Sequence, residues 1–252
     1  MNLQQSLLLD MYKDAARILD ENGIRYFVHY GTAIGTLRHD GFIPWDDDID
    51  VVIWDEDLEK VNKLLSEGLD PEKYYYHIPL SDTHPHIIAR TGDFERDMKK
   101  KKARFIDIFV LEKYPKEGGK RHRVNMMVWC EMIAVVILDR LTPRFLYRLF
   151  CKVPGWFERR AKRLTEDDTD MTTIYSTTFK NDIFPRSYFE KTFMHKFEDT
   201  EVPLPEGIDQ ALTSLFGDYM TPPPENKRHG ANGFPCSGYK DYMIEKKAGK
   251  TK

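Results

Sequence analysis

The chain has 252 residues, 41% apolar and 31% charged, with a formal net charge of −3. That length accommodates one large domain, or one domain with a sizeable insertion, and the balance excludes both a disordered chain and a polycation built for nucleic acid. Three cysteines, Cys130, Cys151 and Cys236, form no C-x-x-C pair, which argues against a disulfide framework or a Cys-based zinc site and for a reducing cytoplasm. Residues Met1 to Gln5 lack the basic start and apolar core of a signal peptide. The longest apolar run, Met126 to Leu138, is 13 residues interrupted by Glu131. A spanning helix needs about 20.

In chain order, residues 3–20 read as an amphipathic helix, with Leu3, Leu7, Leu8, Met11, Ala15, Ile18 and Leu19 at helical spacing. Asn22-Gly23 ends it. Residues 24–29 are rich in β-branched and aromatic side chains and predict a strand. Gly31-Thr32 opens a short helix to Arg38, and His39-Asp40-Gly41 makes a turn. Residues 48–53 predict a second strand, and Asp55 is expected to cap a helix through Leu65. Residues 74–78, 86–91 and 105–110 predict three more strands. Pro115 to Lys120 reads as a linker; residues 123–165 read as helical, broken at Thr142-Pro143 and Val153-Pro154-Gly155. Residues 182–220 mix short elements, and the tail from Thr221 is punctuated by Pro and Gly. The pattern is α+β: a mixed β-sheet core flanked by helices, with a helical insertion. It divides into a core over 1–114, an insertion over 115–180 and a C-terminal segment over 181–252 expected to pack back on the core.

The chemistry concentrates in residues 31–50. On a strand, Asp48 and Asp50 project to one side, and Asp46 shares their parity. Four carboxylates in five residues repel, so a bound cation is the economical reason for their proximity. Oxygen-only ligands favour Mg²⁺ or Mn²⁺, as one or two ions. Asp107 interrupts the apolar run Phe105 to Phe109; a lone Asp there costs free energy unless it is paired or metal-bound. It is the expected third carboxylate. Gly31-Thr32 lies at a strand-to-helix junction, where backbone N–H groups bind phosphate. Gly35-Thr36 repeats the pair four residues on, and Arg38 and His39 are placed to add charge to the contacts with a polyphosphate. An Asp-rich turn or a Gly-Thr pair alone is commonly structural; their combination in strand–turn–helix–strand order points to metal-dependent phosphate chemistry.

The stretch from Tyr30 to Asp50, YGTAIGTLRHDGFIPWDDDID, closely resembles the LicD family of bacterial phosphocholine transferases, related to fukutin-type ribitol-phosphate transferases within the nucleotidyltransferase superfamily. The resemblance continues at Arg104 to Leu111 and near Phe216 to Met220 with Pro222-Pro223. It implies a nucleotidyltransferase-like core, with Gly31-Thr32 as the superfamily's Gly-Ser/Thr turn. Asp48 and Asp50 match the paired metal ligands, Asp46 a further acidic position and Asp107 the third carboxylate. It further implies transfer of phosphocholine from CDP-choline, or of another CDP-linked alcohol phosphate, to a sugar hydroxyl of a teichoic-acid or lipopolysaccharide glycan with release of CMP. Nucleotidyl transfer is the competing enzymatic reading. A non-catalytic Ca²⁺-binding protein is the reading from another class, although the cluster lacks EF-hand spacing.

Choline's quaternary ammonium favours aromatic faces; Trp45 adjoins the carboxylates, while Tyr219 and Tyr74 to Tyr76 read more simply as core. Residues 96–123 hold eleven Lys and Arg against four acidic residues and precede the apolar 126–138 stretch. The default reading is a solvated loop followed by a buried bundle helix. The sharper one is peripheral contact with the inner face of the membrane, where a lipid-linked acceptor glycan would lie. His84 and His86 could ligate a metal but read as an ordinary turn, and Arg228-His229 could reach a phosphate.

Overall fold

A computed structural model describes residues 1–80, 84–174, 182–228 and 236–249. Helix α1 (Leu3–Glu21) begins at a capping box: the Asn2 side chain accepts from the Gln4 and Gln5 amides, and Gln5 accepts from the Asn2 amide. Then follow β1 (Tyr26–Val28), α2 (Tyr30–His39), β2 (Ile49–Trp54), α3 (Leu58–Gly68), β3 (Tyr74–His77), β4 (His86–Ala89), α4 (Phe94–Lys99) and β5 (Phe105–Tyr114). Next come α5 (Gly118–Val136), a π-helical turn (Ile137–Leu141), α6 (Arg144–Phe150) and α7 (Val153–Thr165). Strands β6 (Met171–Thr173), β7 (Ile183–Pro185), β8 (Thr192–Phe197) and β9 (Thr200–Pro205) precede α8 (Ile208–Phe216) and α9 (Cys236–Lys247).

The central sheet runs β1-β2-β5-β4-β3, with β6 on the far half of β5 and β7 beyond it. Strands β2 and β5 are parallel and every other pair is antiparallel, so the fold is α+β around a mixed sheet. Every position of β2 is buried, because both faces of the sheet are covered. Ile49, Val51 and Ile53 pack with Ile106 and Ile108 under Leu8, Met11 and Leu19 of α1. Val52 and Trp54 face the other way, toward Phe27, Phe184 and Phe189. Asp50 has the parity of Val52, and Asp107 that of Phe109 and Leu111, so both carboxylates lie on the face turned away from α1.

The C-terminal elements reach back to the core. Tyr242 of α9 packs with Tyr75, Ile88 and Phe105. The β8–β9 turn clamps the loop after α2: the Glu198 amide donates to the Asp40 carbonyl, and its carboxylate accepts from the Phe42 amide.

Three local expectations are corrected. Asp55 does not cap a helix; a 3₁₀ turn (Asp55–Asp57) intervenes before α3, and the Asp55 carboxylate accepts from Lys162 at 2.7 Å. The break expected at Val153-Pro154-Gly155 lies just before it, at residues 151–152, and the triplet itself starts α7, since proline in a first turn forfeits no helical hydrogen bond. The 126–138 stretch is not a buried bundle helix: of α5, Val124 and Glu131 are buried, while Met126, Trp129, Ile133 and Val136 are exposed.

Candidate active site

The site is assembled where β1 passes into α2 beside the ends of β2, β4 and β5. The junction turns on Tyr30, whose φ of 46° is left-handed, an uncommon state for a bulky residue. The Tyr30 hydroxyl donates to Asp182 at 2.7 Å, a buried bond across 152 residues that helps hold this turn. Gly31 has a steric role. A Cβ there would lie 2.7 Å from Asp46 Oδ2, so only glycine admits the carboxylate at this distance. Thr32 is buried, and its hydroxyl accepts from the Asp50 amide at 2.8 Å. The Gly-Thr turn therefore seats two of the aspartates.

Asp50 and Asp107 are register partners across the parallel β2–β5 pair. Asp107 is in turn the partner of His86 across β5–β4, and His86 of His77 across β4–β3. One row of titratable side chains thus crosses four strands. One oxygen each from Asp48, Asp50 and Asp107 lies within 4.8 Å of the others, and the same holds for Asp46, Asp47 and Asp48. His84, His86 and Asp107 form a third such group.

Electrostatics divides these carboxylates into two kinds. Burial, then the neighbouring Asp46, Asp107 and Asp47 charges, push Asp48 up to about 8. Burial and then Asp48 and Asp107 drive Asp50 well above the usual carboxylate range. Burial also raises Asp46, to about 6, against a hydrogen bond with Asp48 that lowers it. For Asp107 burial pushes upward too, yet contacts with His84 and His86, each 3.2 Å from Oδ1, outweigh it and hold the carboxyl below the usual range. Three acids that resist ionising, packed against one that does not, form a concentrated negative site that a divalent cation would relieve. The donor set suits a divalent metal.

The supporting contacts are equally specific. Gln5 of α1 donates to the Ile43 and Asp46 carbonyls, pinning the Asp-rich loop. Arg104 pairs with Asp47 at 3.1 Å, drawing that carboxylate to its own partner. Arg38 donates to the Tyr219 carbonyl at 2.9 Å, and Arg228 lies over the Trp45 ring at 4.8 Å. Burial and the Arg228 charge lower the Arg38 guanidinium, while Asp46 opposes them. Two arginines thus stand together beside the acidic loop.

Other candidates fall outside this cluster. Gly35 packs against the 41–43 backbone, where a Cβ would meet the Gly41 carbonyl at 2.5 Å. Thr36 is buried and donates to the Thr32 carbonyl. Both support the α2 turn. His39 is exposed, with Nε2 accepting from Arg38. The tyrosine hydroxyls of the aromatic candidates have partners in the fold: Tyr74 with Asp14, Tyr75 with Glu245, Tyr76 with Asn62 and Tyr219 with Asp209. His229 lies outside the described residues. His84 and His86, which from sequence read as an ordinary turn able to ligate a metal, join the site through Asp107, and Arg104 and Gln5 carry no sequence signal for their contacts. For His86 the local signal was a polar residue in a β-branched run, but its meaning depends on strand register.

Residues 23–134 match the family model described as LicD/FKTN/FKRP, nucleotidyltransferase domain. The chain is 25% identical over 250 residues to the lipopolysaccharide cholinephosphotransferase LicD of Haemophilus influenzae, covering 88% of this chain and 92% of that one. An uncharacterised protein of Rickettsia prowazekii is 32% identical over 119 residues, 46% of this chain and 43% of that protein. Human ribitol 5-phosphate transferase FKRP is 38% identical over 47 residues, 19% of this chain and 10% of that protein. The Gly-Thr turn, the clustered aspartates and these matches together support a phosphotransferase of the LicD kind, with residues 23–134 resembling the LicD/FKTN/FKRP nucleotidyltransferase domain.

Proposed function

We propose that the protein transfers phosphocholine from CDP-choline to a sugar hydroxyl of a cell-surface glycan, of lipopolysaccharide or teichoic-acid type, releasing CMP. The observation that carries this reading is the joining of Asp48, Asp50 and Asp107 within 4.8 Å beside the Gly31-Thr32 turn. Similarity to the Haemophilus enzyme along most of both chains supports the choline head group.

Asp48, Asp50 and Asp107 would hold Mg²⁺ or Mn²⁺, with Asp46 at the rim. The ion would supply the positive charge that a diphosphate and a departing CMP require. Asp107 stays ionised through its histidine contacts and anchors the set. Thr32 holds the Asp50 backbone, and Gly31 leaves room for the Asp46 carboxylate. Arg38 and Arg228 bring positive charge to the open side of the acidic loop, where a nucleotide phosphate would lie. The acceptor oxygen forms the new P–O bond, the bond to CMP breaks and the hydroxyl proton passes to solvent water. Trp45 is half-buried against the core with Arg228 over its ring; its remaining exposed edge is the choline candidate. In this reading residues 1–114 carry the chemistry and residues 115–180 face a lipid-linked acceptor at the inner surface of the membrane.

The test is a donor panel of CDP-choline, CDP-ethanolamine, CDP-ribitol and nucleoside triphosphates with Mg²⁺. Preferential thermal stabilisation and CMP release with CDP-choline are expected. Selective response to CDP-ribitol would move the donor to a polyol phosphate. Pyrophosphate release from a triphosphate would replace the reading with nucleotidyl transfer.

A further inference from the structure

Residues 118–163 present an apolar face that nothing else among the described residues covers. On α5, Met126, Trp129, Ile133 and Val136 recur at three- and four-residue spacing, and Ile137 follows, so at 3.6 residues per turn they line one side of the helix. The opposite side packs through Val124, Met127 and Val128 against Tyr114 and Ala161. The outward series continues beyond α5 in Leu141, in Phe145 and Leu149 one turn apart on α6, and in Trp156 on α7. Exposure is 59% for Trp129, 74% for Leu141, 75% for Phe145, 72% for Leu149 and 56% for Trp156. Scattered exposed apolar residues need no explanation, but a concentration of this kind in one segment marks an interaction surface.

The charge around it is one-sided. Residues 118–163 carry eleven Lys and Arg against three acidic residues, in a chain whose formal net charge is −3. The three acids are withdrawn: Glu131 is buried, Asp139 lies near Lys101 at 3.9 Å, and Glu158 is bound by Lys162 at 3.1 Å. Arg140, Arg148, Lys152, Arg159 and Arg160 are exposed. The Lys101 contact also brings the basic run Lys99 to Lys102 alongside the π-helical turn. Beside α6 a groove of about 380 Å³, lined by Phe145, Arg148, Met243, Ile244 and Lys247 among others, combines apolar walls with basic residues.

We propose that the exposed face of α5, α6 and α7 docks on the surface of an anionic lipid bilayer. Trp and Phe side chains flanked by Lys and Arg match the boundary between headgroups and acyl chains, where aromatic rings sit at headgroup level and cations meet lipid phosphates. No helix among the described residues is long and apolar enough to cross a membrane, so the contact lies in the interface plane. A second copy of the chain is a poorer occupant, since two-fold pairing would set one basic face against another. The face is held firmly to the fold. Lys240 of α9 donates to the carbonyls of Leu138, Asp139 and Thr142, and the Tyr147 hydroxyl donates to Asp241. Asp241 contacts His77, the outermost residue of the row that leads to Asp107. Docking would thus hold the active site at a fixed orientation to a lipid-linked acceptor. The inference concerns binding alone and does not depend on which donor the enzyme uses.

The test is flotation of the full chain with vesicles of phosphatidylcholine alone or mixed with phosphatidylglycerol. Binding should be at least about tenfold tighter to the anionic vesicles, and should weaken several-fold between about 0.05 M and about 0.5 M salt. The double variant Trp129→Ser/Phe145→Ser should lose at least about tenfold in vesicle affinity, with an unchanged melting temperature because both side chains are exposed. Arg148→Glu/Lys152→Glu should remove the preference for anionic lipid. Failure to float, equal binding to both vesicle types, or binding untouched by both variants would overturn the proposal. A lipid-free dimer that the Trp129→Ser/Phe145→Ser variant dissolves, together with no flotation, would assign the face to a second copy instead.

Discussion

Asp50 and Asp107 sit directly opposite one another across the parallel β2–β5 pair, although 57 positions separate them in the chain. Strand pairing makes them neighbours on the sheet face away from α1, and the histidine beyond Asp107 makes them unequal. Asp107 is held ionised by His84 and His86, whereas Asp50 is buried against two other acids. Their neutral amides should separate catalysis from folding. Asp50→Asn should lower CMP release by at least ~10³-fold, the scale expected when a preorganised charged group is lost. It should also leave the metal-free protein as stable as the wild type or more so, because a buried acid whose ionisation the fold disfavours is replaced by a neutral amide. Activity assays paired with thermal melts in chelator check both halves.

Metal-free stability should fall as pH rises. Asp46 and Asp48 titrate near about 6 and about 8 in the folded chain, above the ordinary carboxylate value of 3.8. A raised folded value means that the folded state binds the proton more tightly. The resulting stabilisation is complete below about pH 4 and is lost as pH climbs through 6 and 8. Asp107, held low, contributes in the opposite sense: its stabilisation is present above about pH 4 and lost in stronger acid. Melting temperature in chelator should therefore decline between about pH 5 and pH 8.5, and the increment from Mg²⁺ should grow over that interval as ligands deprotonate. A Mg²⁺ increment independent of pH would count against the carboxylates as its ligands.

The two glycines of α2 should behave differently on substitution. Gly31→Ala places a methyl 2.7 Å from the Asp46 carboxylate, the movable end of a side chain. Activity should drop by about tenfold or more, with a small change in melting temperature, since a misplacement of about 1 Å can cost ~10²-fold in rate. Gly35→Ala drives its methyl to 2.5 Å from the Gly41 carbonyl, which is backbone. That variant should lose about 1–3 kcal/mol of stability as an overpacked core position. Urea unfolding alongside CMP release distinguishes the two.

Removing Asp241 should destabilise the fold from a distance. Its carboxylate accepts from the Leu80 amide and the Tyr147 hydroxyl and contacts His77 at 3.0 Å. Asp241→Ala would remove one hydrogen-bond acceptor from each of those partners at a cost of about 3 kcal/mol or more. Asp241→Asn, which keeps an acceptor, should lose less. Chemical denaturation of the three proteins ranks them.

Arg38→Ala should act on donor binding. The guanidinium is held by the Tyr219 carbonyl beside the Asp46 loop and next to Arg228. We expect KM for the CDP-linked donor to rise by about tenfold, the loss of one charge-assisted contact, with a smaller effect on kcat. An unchanged KM would remove Arg38 from the phosphate contacts.

Local pattern located most of the helices and core strands, because amphipathic spacing and β-branched runs are properties of neighbouring residues. It also singled out Asp46, Asp48, Asp50 and the Gly31-Thr32 turn, whose proximity in sequence already creates the charge repulsion and the tight junction. It selected Asp107 as well, since a lone carboxylate in an apolar strand demands a partner anywhere in the fold. Which partners it has was decided by tertiary structure. His86 and His77 join the row through the register of β4 and β3, a long-range pairing that a one-residue slip would undo. Gly35 and Thr36 repeat the Gly-Thr pair in sequence, yet the return of the chain at residues 41–43 turns them to packing. The outward face of α5 was decided in the same way. Its apolar residues alone suit a buried helix as well as an exposed one, and only the one-sided packing against Tyr114 and α7 leaves Trp129 and Ile133 uncovered. Sequence by itself determined which groups gather in residues 31–50, because their closeness is a matter of short range. The tertiary structure decided their charge states, their remote partners and the exposed apolar face, because these depend on what the fold brings near and what it leaves in water.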